Sequence, residues 1–200
     1  MEALWEIMPA MSVFAFVMAI TPGPNNFLLA SSGAQFGMKR SIRHLLGIRL
    51  GIIVLIGLCA SGVGAAMVQH PGLYQALRYL GLGYMLWLAG KLVLSRPANA
   101  AASAVGPLSL KQATLFQLGN IKAWMACLAL VSSYSLPELY WLSVLMILLV
   151  FTTFGLMANS LWAYVGYGMR SLLDSPKKQQ GFNVMLALLT VGSLVPAFLD

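Results

Sequence analysis

Long apolar runs separated by short polar punctuation organise this chain. Residues 7–36 form a first apolar stretch, interrupted at Thr21-Pro22-Gly23-Pro24. A short basic loop, Gly37-Met38-Lys39-Arg40-Ser41-Ile42-Arg43-His44, leads to a second run over 45–68. Gln69-His70-Pro71-Gly72 is a turn signal. A third run covers 75–95, a fourth 112–135, a fifth 139–168 and a sixth 181–199. Roughly 20 apolar residues cross the hydrocarbon core as a helix, so the pattern predicts an all-α integral membrane protein with six transmembrane helices. The one linker-like composition is Arg96 to Pro107, rich in Ala and Pro. It divides the chain into a first three-helix half (1–96), a cytoplasmic linker (97–111) and a second three-helix half (112–200). Three is odd, so the second half enters the bilayer the other way up. A 3+3 inverted repeat of this kind is the plan of many secondary transporters.

Composition agrees. Of the 200 residues 60% are hydrophobic and 8% charged, with a mean hydropathy of +0.82. Too few charges are present to cover a soluble surface, and almost nothing remains outside the apolar runs for a catalytic or nucleic-acid-binding module. The net charge of +7, from 12 basic and 5 acidic residues, reads as topology. Lys39, Arg40 and Arg43 fall in the first loop, Lys91, Arg96 and Lys111 flank the third run's end, and Arg170, Lys177 and Lys178 follow the fifth. Those three loops share one side in a six-crossing chain, whereas Glu2, Glu6, Glu138 and Asp200 fall on the other. Positive loops stay cytoplasmic, which puts both termini on the periplasmic side of a bacterial inner membrane. Arg78 and Asp174 are the exceptions. Trp5, Tyr74, Tyr134, Tyr140 and Trp141 lie near run ends and read as interfacial anchors.

Polar residues inside the runs are the candidates for function. In Thr21-Pro22-Gly23-Pro24-Asn25-Asn26 two prolines around a glycine cannot continue a helix. Helix restarts with Pro24 at its first position. Its free N–H groups form an anion site suited to a substrate carboxylate; the alternative is a simple proline kink. The matching point in the second half is Gln117-Leu118-Gly119-Asn120-Ile121-Lys122, where Lys122 lies about 15 Å into its segment at helical rise. A lysine there costs roughly 2.5–3.5 kcal/mol on insertion scales. Either it meets substrate, or it caps carbonyls freed by the first break. Asn120 orients it or binds substrate. Arg49 faces substrate or snorkels to the interface, with Gly47 and Gly51 on the opposite face as a close-packing pair, like Gly33 and Gly37. Asn159 is interhelical glue or a site residue.

No Asp or Glu lies within an apolar run. If transport is proton-coupled, Lys122 is then the titrating candidate, because arginine stays charged. Cys59 and Cys127 are isolated and read as buried small residues. His44 and His70 fall in loops. With no H-E-x-x-H, G-x-S-x-G or His/Cys cluster, no enzyme activity, metal or cofactor is expected.

Thr21-Pro22-Gly23-Pro24-Asn25, with Ser31-Ser32, Gly37, Gly47 and Gly51, resembles the first signature of the LysE/RhtB amino-acid exporters. Leu80-Gly81-Leu82-Gly83-Tyr84-Met85-Leu86-Trp87-Leu88 is similar to that family's third-helix pattern. The resemblance runs through essentially the whole chain. Where many members carry Asn-Pro-Lys, this chain has Asn120-Ile121-Lys122, which removes the proline that would break a helix there. That departure, with Asn26 and the stretch Phe154 through Ala163, looks most like the branch exporting cysteine and O-acetylserine. The resemblance implies proton-gradient-driven efflux of a small amino acid, with functional weight on Pro22, Gly23, Pro24, Asn120 and Lys122, and then Asn25 and Asn26. Another neutral amino acid such as homoserine or threonine is the alternative substrate. A non-transport membrane scaffold, organised by the small-residue faces, is the alternative class. The expected partners are the amino acid, protons and the lipid bilayer, with room for a homodimer and no nucleic acid.

Overall fold

The computed structural model describes residues 2–63, 66, 69–94 and 106–194, and every element among them is helical. The α-helices are α1 (Glu2–Ile20), α2 (Pro24–Phe36), α3 (Met38–Ala60), α4 (Pro71–Leu94), α5 (Leu110–Gly119), α6 (Ile121–Tyr134), α7 (Tyr140–Gly168) and α8 (Pro176–Gly192). Single 3-10 turns, Pro137–Leu139 and Met169–Ser171, flank α7. Among the described residues three stretches are long and apolar enough to cross a bilayer: Glu2–Ile20, Met38–Ala60 and Pro137–Ser171. The α5–α6 pair, bent by 70° at its break, makes a fourth if taken as one span. α2, with 13 residues, is only about 20 Å long and cannot cross alone. Residues 95–105, which take in most of the expected linker 97–111, and residues 195–200 at the end of the sixth run lie outside the described residues, Arg96 and Asp200 among them.

Two expectations from the sequence change. The expected basic loop is helical from Met38 onward. Lys39, Arg40 and Arg43 point outward while Ser41 and His44 are buried, so the charges mark one face of a helix rather than a loop. His44, expected in that loop, is only 1% exposed. Gly37 serves as a hinge instead of pairing with Gly33: its φ of 78° lets the chain turn from α2 into α3, a conformation glycine adopts at no steric cost.

Close backbone approach sets the packing. α7 lies against α1, α2 and α3, α3 also packs on α5, and α4 packs on α5 and α8. A Cβ on Gly33 would come within 1.9 Å of the Ala163 carbonyl oxygen, and one on Gly166 within 1.9 Å of that of Ala30. α2 and α7 therefore touch main chain to main chain, as small residues allow between membrane helices. The Gly47–Gly51 face expected to admit a neighbour does so, against Leu110, Ala113 and Gln117 of α5. Gly81 of α4 meets Gly119 at the α5–α6 break in the same way. One apolar cluster, with Met11, Ile48, Leu55, Cys127, Leu130 and Ile147, fills the space between α1, α3, α6 and α7. A second, with Phe27, Leu82, Met85, Phe116, Phe182 and Leu186, joins α2, α4, α5 and α8. Cys59 and Cys127 are free and buried. Large apolar side chains such as Val13, Leu149, Leu156 and Leu188 face outward, as a lipid-facing surface requires.

The basic segments gather at one end. Arg170 approaches Gly37, and Gln180 donates from its amide to the Val93 carbonyl, next to Lys91 and close after Lys177 and Lys178. Asp174, an exception to the charge pattern, pairs with Lys178 at 2.9 Å. The ammonium hydrogen bond holds that carboxyl below the usual carboxylate range. Of the expected anchors, Trp5 and Trp141 are exposed, whereas the Tyr140 hydroxyl donates to the Ala60 carbonyl at 2.7 Å and ties α3 to α7.

Replacing Gly33 by Val should cost at least about 1–3 kcal/mol through overpacking, read as a lower melting temperature of purified protein in detergent. Gly57, where an added Cβ would meet nothing within 4 Å, accepts Ala with unchanged or raised stability, by up to about 1 kcal/mol.

Candidate functional site

The expected break after Thr21 is present, and a second break stands opposite it at Asn120, although the proline that would break a helix there is missing. The first occupies Thr21 to Gly23, and α2 starts with Pro24 at its first position and no side-chain cap. The second falls at Asn120, whose extended backbone (φ −86°, ψ 100°) ends α5 and starts α6 without a proline. Each break strands carbonyls that lipid cannot satisfy, and a tryptophan meets one of them on each side. Trp162 Nε1 donates to the Ile20 carbonyl at 3.0 Å, and Trp124 Nε1 to that of Leu118 at 2.8 Å. Neither tryptophan stands out in the sequence as a site residue; the available signal is that a buried indole N–H needs a partner.

Lys122 bridges the two breaks. Its Nζ donates to the Thr21 carbonyl at 2.9 Å, the Thr21 hydroxyl at 2.7 Å and the Pro22 carbonyl at 3.3 Å. An ammonium has three N–H donors, and three acceptors from the break surround it. Of the two readings left open for Lys122, the geometry has the carbonyl-capping arrangement. Gly23 leaves room for the lysine stem: a Cβ there would stand 3.3 Å from Nζ and 3.4 Å from Cδ.

Arg49 is buried, 8% exposed, and does not reach an interface. Its Nη2 donates to Asn159 Oδ1, and its Nη1 lies 3.4 Å from the carbonyls of Phe151 and Thr152. Gly155 makes this possible, since a Cβ there would lie 2.0 Å from Nη1. The chain of bonds continues inward. Asn159 Nδ2 donates to Asn26 Oδ1 at 2.7 Å, and Asn26 Nδ2 donates to the carbonyls of Ala19 and Thr21, both at 2.9 Å. One polar network thus runs from Arg49 on α3 through α7 and α2 to the break that holds Lys122.

A cavity of about 50 Å³ opens beside this network, and Gly23, Pro24, Asn25, Asn26, Arg49, Asn120, Lys122 and Asn159 all line it. Thr21 and Pro22 stand behind it as the acceptors of Lys122. The volume suits a few water molecules. Gln117 and Gly155 also line it, and neither was singled out from the sequence; Gln117 is a fully buried amide one turn before the break, which is its signal. Three buried polar atoms of lining residues have no partner among the described residues: Arg49 Nε, Gln117 Nε2 and Asn25 Oδ1. The first two are donors and the third an acceptor. Salt bridges among the described residues are confined to Lys178–Asp174, so Arg49 and Lys122 face the cavity without a carboxylate. Two uncompensated cations, spare donors and one spare acceptor suit a small molecule with a negative and a positive end. Among the described residues no group of His, Cys, Asp and Glu is placed to hold a metal ion.

The sequence pattern of LysE type translocators matches residues 16–192. The chain belongs to the LysE type translocator family. It is therefore a multi-pass membrane transporter and not an enzyme. A cysteine/O-acetylserine efflux protein of Salmonella typhimurium is 32% identical to this translocator over 196 residues, covering 96% of this chain and 97% of the relative. The protein of that name from Escherichia coli K12 is 31% identical over the same span. No solved structure matches the chain.

Asn159→Ala should destabilise the translocator by about 2–3 kcal/mol, because it strips one acceptor from a buried guanidinium and one donor from Asn26. Asn159→Asp, which keeps the acceptor and adds a counter-charge, should lose less. Thermal unfolding of the two variants in detergent checks the order.

Proposed function

We propose that this translocator exports small neutral amino acids, with cysteine or O-acetylserine as the first candidates, across the bacterial inner membrane. The observation that carries this reading is the set of unpaired atoms around the central cavity. A zwitterion's carboxylate accepts from Arg49 Nε and Gln117 Nε2, helped by the free N-terminus of α2. Its ammonium donates to Asn25 Oδ1 and stays clear of Lys122, whose charge is held on the Thr21 and Pro22 carbonyls. A cationic side chain finds no acid here, which disfavours basic amino acids. The match to cysteine/O-acetylserine efflux proteins over 96% of the chain supports the same substrate class.

The crossing plan is six, as a 3+3 inverted repeat: α1 with α2, α3 and α4 in one half, and α5 with α6, α7 and α8 in the other. Two features support it. The α2 start lies 13 residues from its basic end, about 20 Å, and Gly119 lies level with Gly81, ten residues or about 15 Å before Lys91. Both breaks thus sit near half a bilayer from the basic end. The first broken pass runs toward that end and the second away from it. With the basic end inside, both termini are periplasmic, and rocking of the halves about the cavity exposes it to each side. A proton gradient drives the cycle.

Purified translocator in liposomes loaded with unlabelled O-acetylserine or cysteine should take up the labelled compound transiently above equilibrium, and lysine should not compete. Counterflow of homoserine or threonine alone would move the substrate assignment within the neutral class. Absence of counterflow with every neutral amino acid would overturn the export reading.

A further inference from the structure

A second cavity, of about 80 Å³, lies nearer the basic end between α2, α3, α4 and the stretch 106–112. His44 lines it and is 1% exposed, with neither Nδ1 nor Nε2 bonded to any described residue. The other polar side chains there are already engaged. Ser32 shares a 2.7 Å hydroxyl contact with Ser41, and Gln35 donates to Ser31 and to Asn183. Gln112 accepts from the Ser109 amide in a capping box. Lys91 of α4 is the one charged residue lining this cavity among the described residues, and its ammonium lies 4.5 Å from the centre of the Trp87 ring. α2 and the stretch 106–112 present no charged or titratable side chain to it. On α3 itself Lys39, Arg40 and Arg43 point outward.

We infer that His44 is the proton-binding site of the translocator, exchanging its proton with water when this second cavity opens and so coupling transport to a proton gradient. The inference rests on the export reading above. Imidazole is the side chain whose ordinary titration spans neutral pH, and a neutral ring has one nitrogen ready to accept. The rival groups are occupied or fixed. Lys122 spends all three N–H donors on the first break, and releasing its proton would leave two donors for three acceptors. Arginine does not titrate in this range. Among the described residues no aspartate or glutamate lines either cavity. In this structure the ring is buried with no bonding partner among them, so a proton taken up from water has nothing to stabilise it there. Opening and closing of the cavity therefore decide whether His44 carries charge. Ser31 and Ser32 connect this cavity to α2, the helix that starts at the central site, so movement of α2 acts on both cavities.

The test uses the whole protein in liposomes, with His44→Gln and His44→Asn beside the wild type, assayed for O-acetylserine counterflow and for accumulation driven by an imposed pH gradient. Counterflow exchanges substrate without net proton movement. The inference expects both variants to keep counterflow near the wild-type rate and to lose gradient-driven accumulation to the level of protein-free liposomes. Variants that still respond to the gradient as the wild type does would overturn it, and so would variants that lose both activities in parallel. Wild-type counterflow with no response to a gradient would overturn the coupling role while leaving export intact. Absence of wild-type counterflow for every neutral amino acid would instead sink the export reading on which this one stands.

Discussion

The contact on which the rest of the site depends is the Lys122 ammonium against the carbonyls of Thr21 and Pro22. Two helices are broken inside an apolar protein, and each break exposes main-chain groups that lipid cannot bond. An unmet carbonyl in that setting costs several kcal/mol. A charge-assisted hydrogen bond from α6 meets the cost at the first break, while Trp162 and Trp124 each take a further carbonyl. The two breaks are thereby fixed face to face. Once they are, α2 presents its free N-terminus, Asn26 reaches Asn159, and Asn159 reaches Arg49.

Holding a buried Arg49 and a half-buried Lys122 with no carboxylate partner among the described residues is the second constraint. Arg49 is held by neutral acceptors alone, namely the Asn159 amide and the carbonyls of Phe151 and Thr152. Neutral dipoles satisfy its geometry but leave its charge uncompensated, so an anionic group entering the cavity supplies what the fold lacks. The same arithmetic explains Gly155. With any side chain there, the guanidinium has no place against α7, and the network loses its outer end.

Much of this is legible in the sequence because lipid is an unforgiving solvent. Pro22 and Pro24 dictate the first break, and Pro24 stands at the start of the next helix, as its missing N–H and fixed φ require. The intramembrane polar residues Asn25, Asn26, Arg49, Asn120, Lys122 and Asn159 stand out by expense alone, and all six line one cavity. What stays hidden depends on pairing across the fold. The break at Asn120 has no proline and is set by the Gly81–Gly119 approach and by Trp124. Sequence leaves Arg49 between interface and site because its depth depends on how far α3 extends beyond the membrane. His44 is lost to sequence because Lys39, Arg40 and Arg43 make a charged helical face look like a loop, although Ser41 and His44 lie on the opposite face.

The central claim is that the cavity between the breaks recognises both ends of an amino acid, with Arg49 reading the carboxylate. Calorimetric binding to the purified translocator tests it, comparing O-acetylserine with its carboxamide, which keeps the ammonium and removes the negative charge. The account predicts binding of the zwitterion, none of the amide, and loss of the zwitterion's binding in Arg49→Gln. Equal binding of the two compounds, or unchanged affinity in Arg49→Gln, would contradict it.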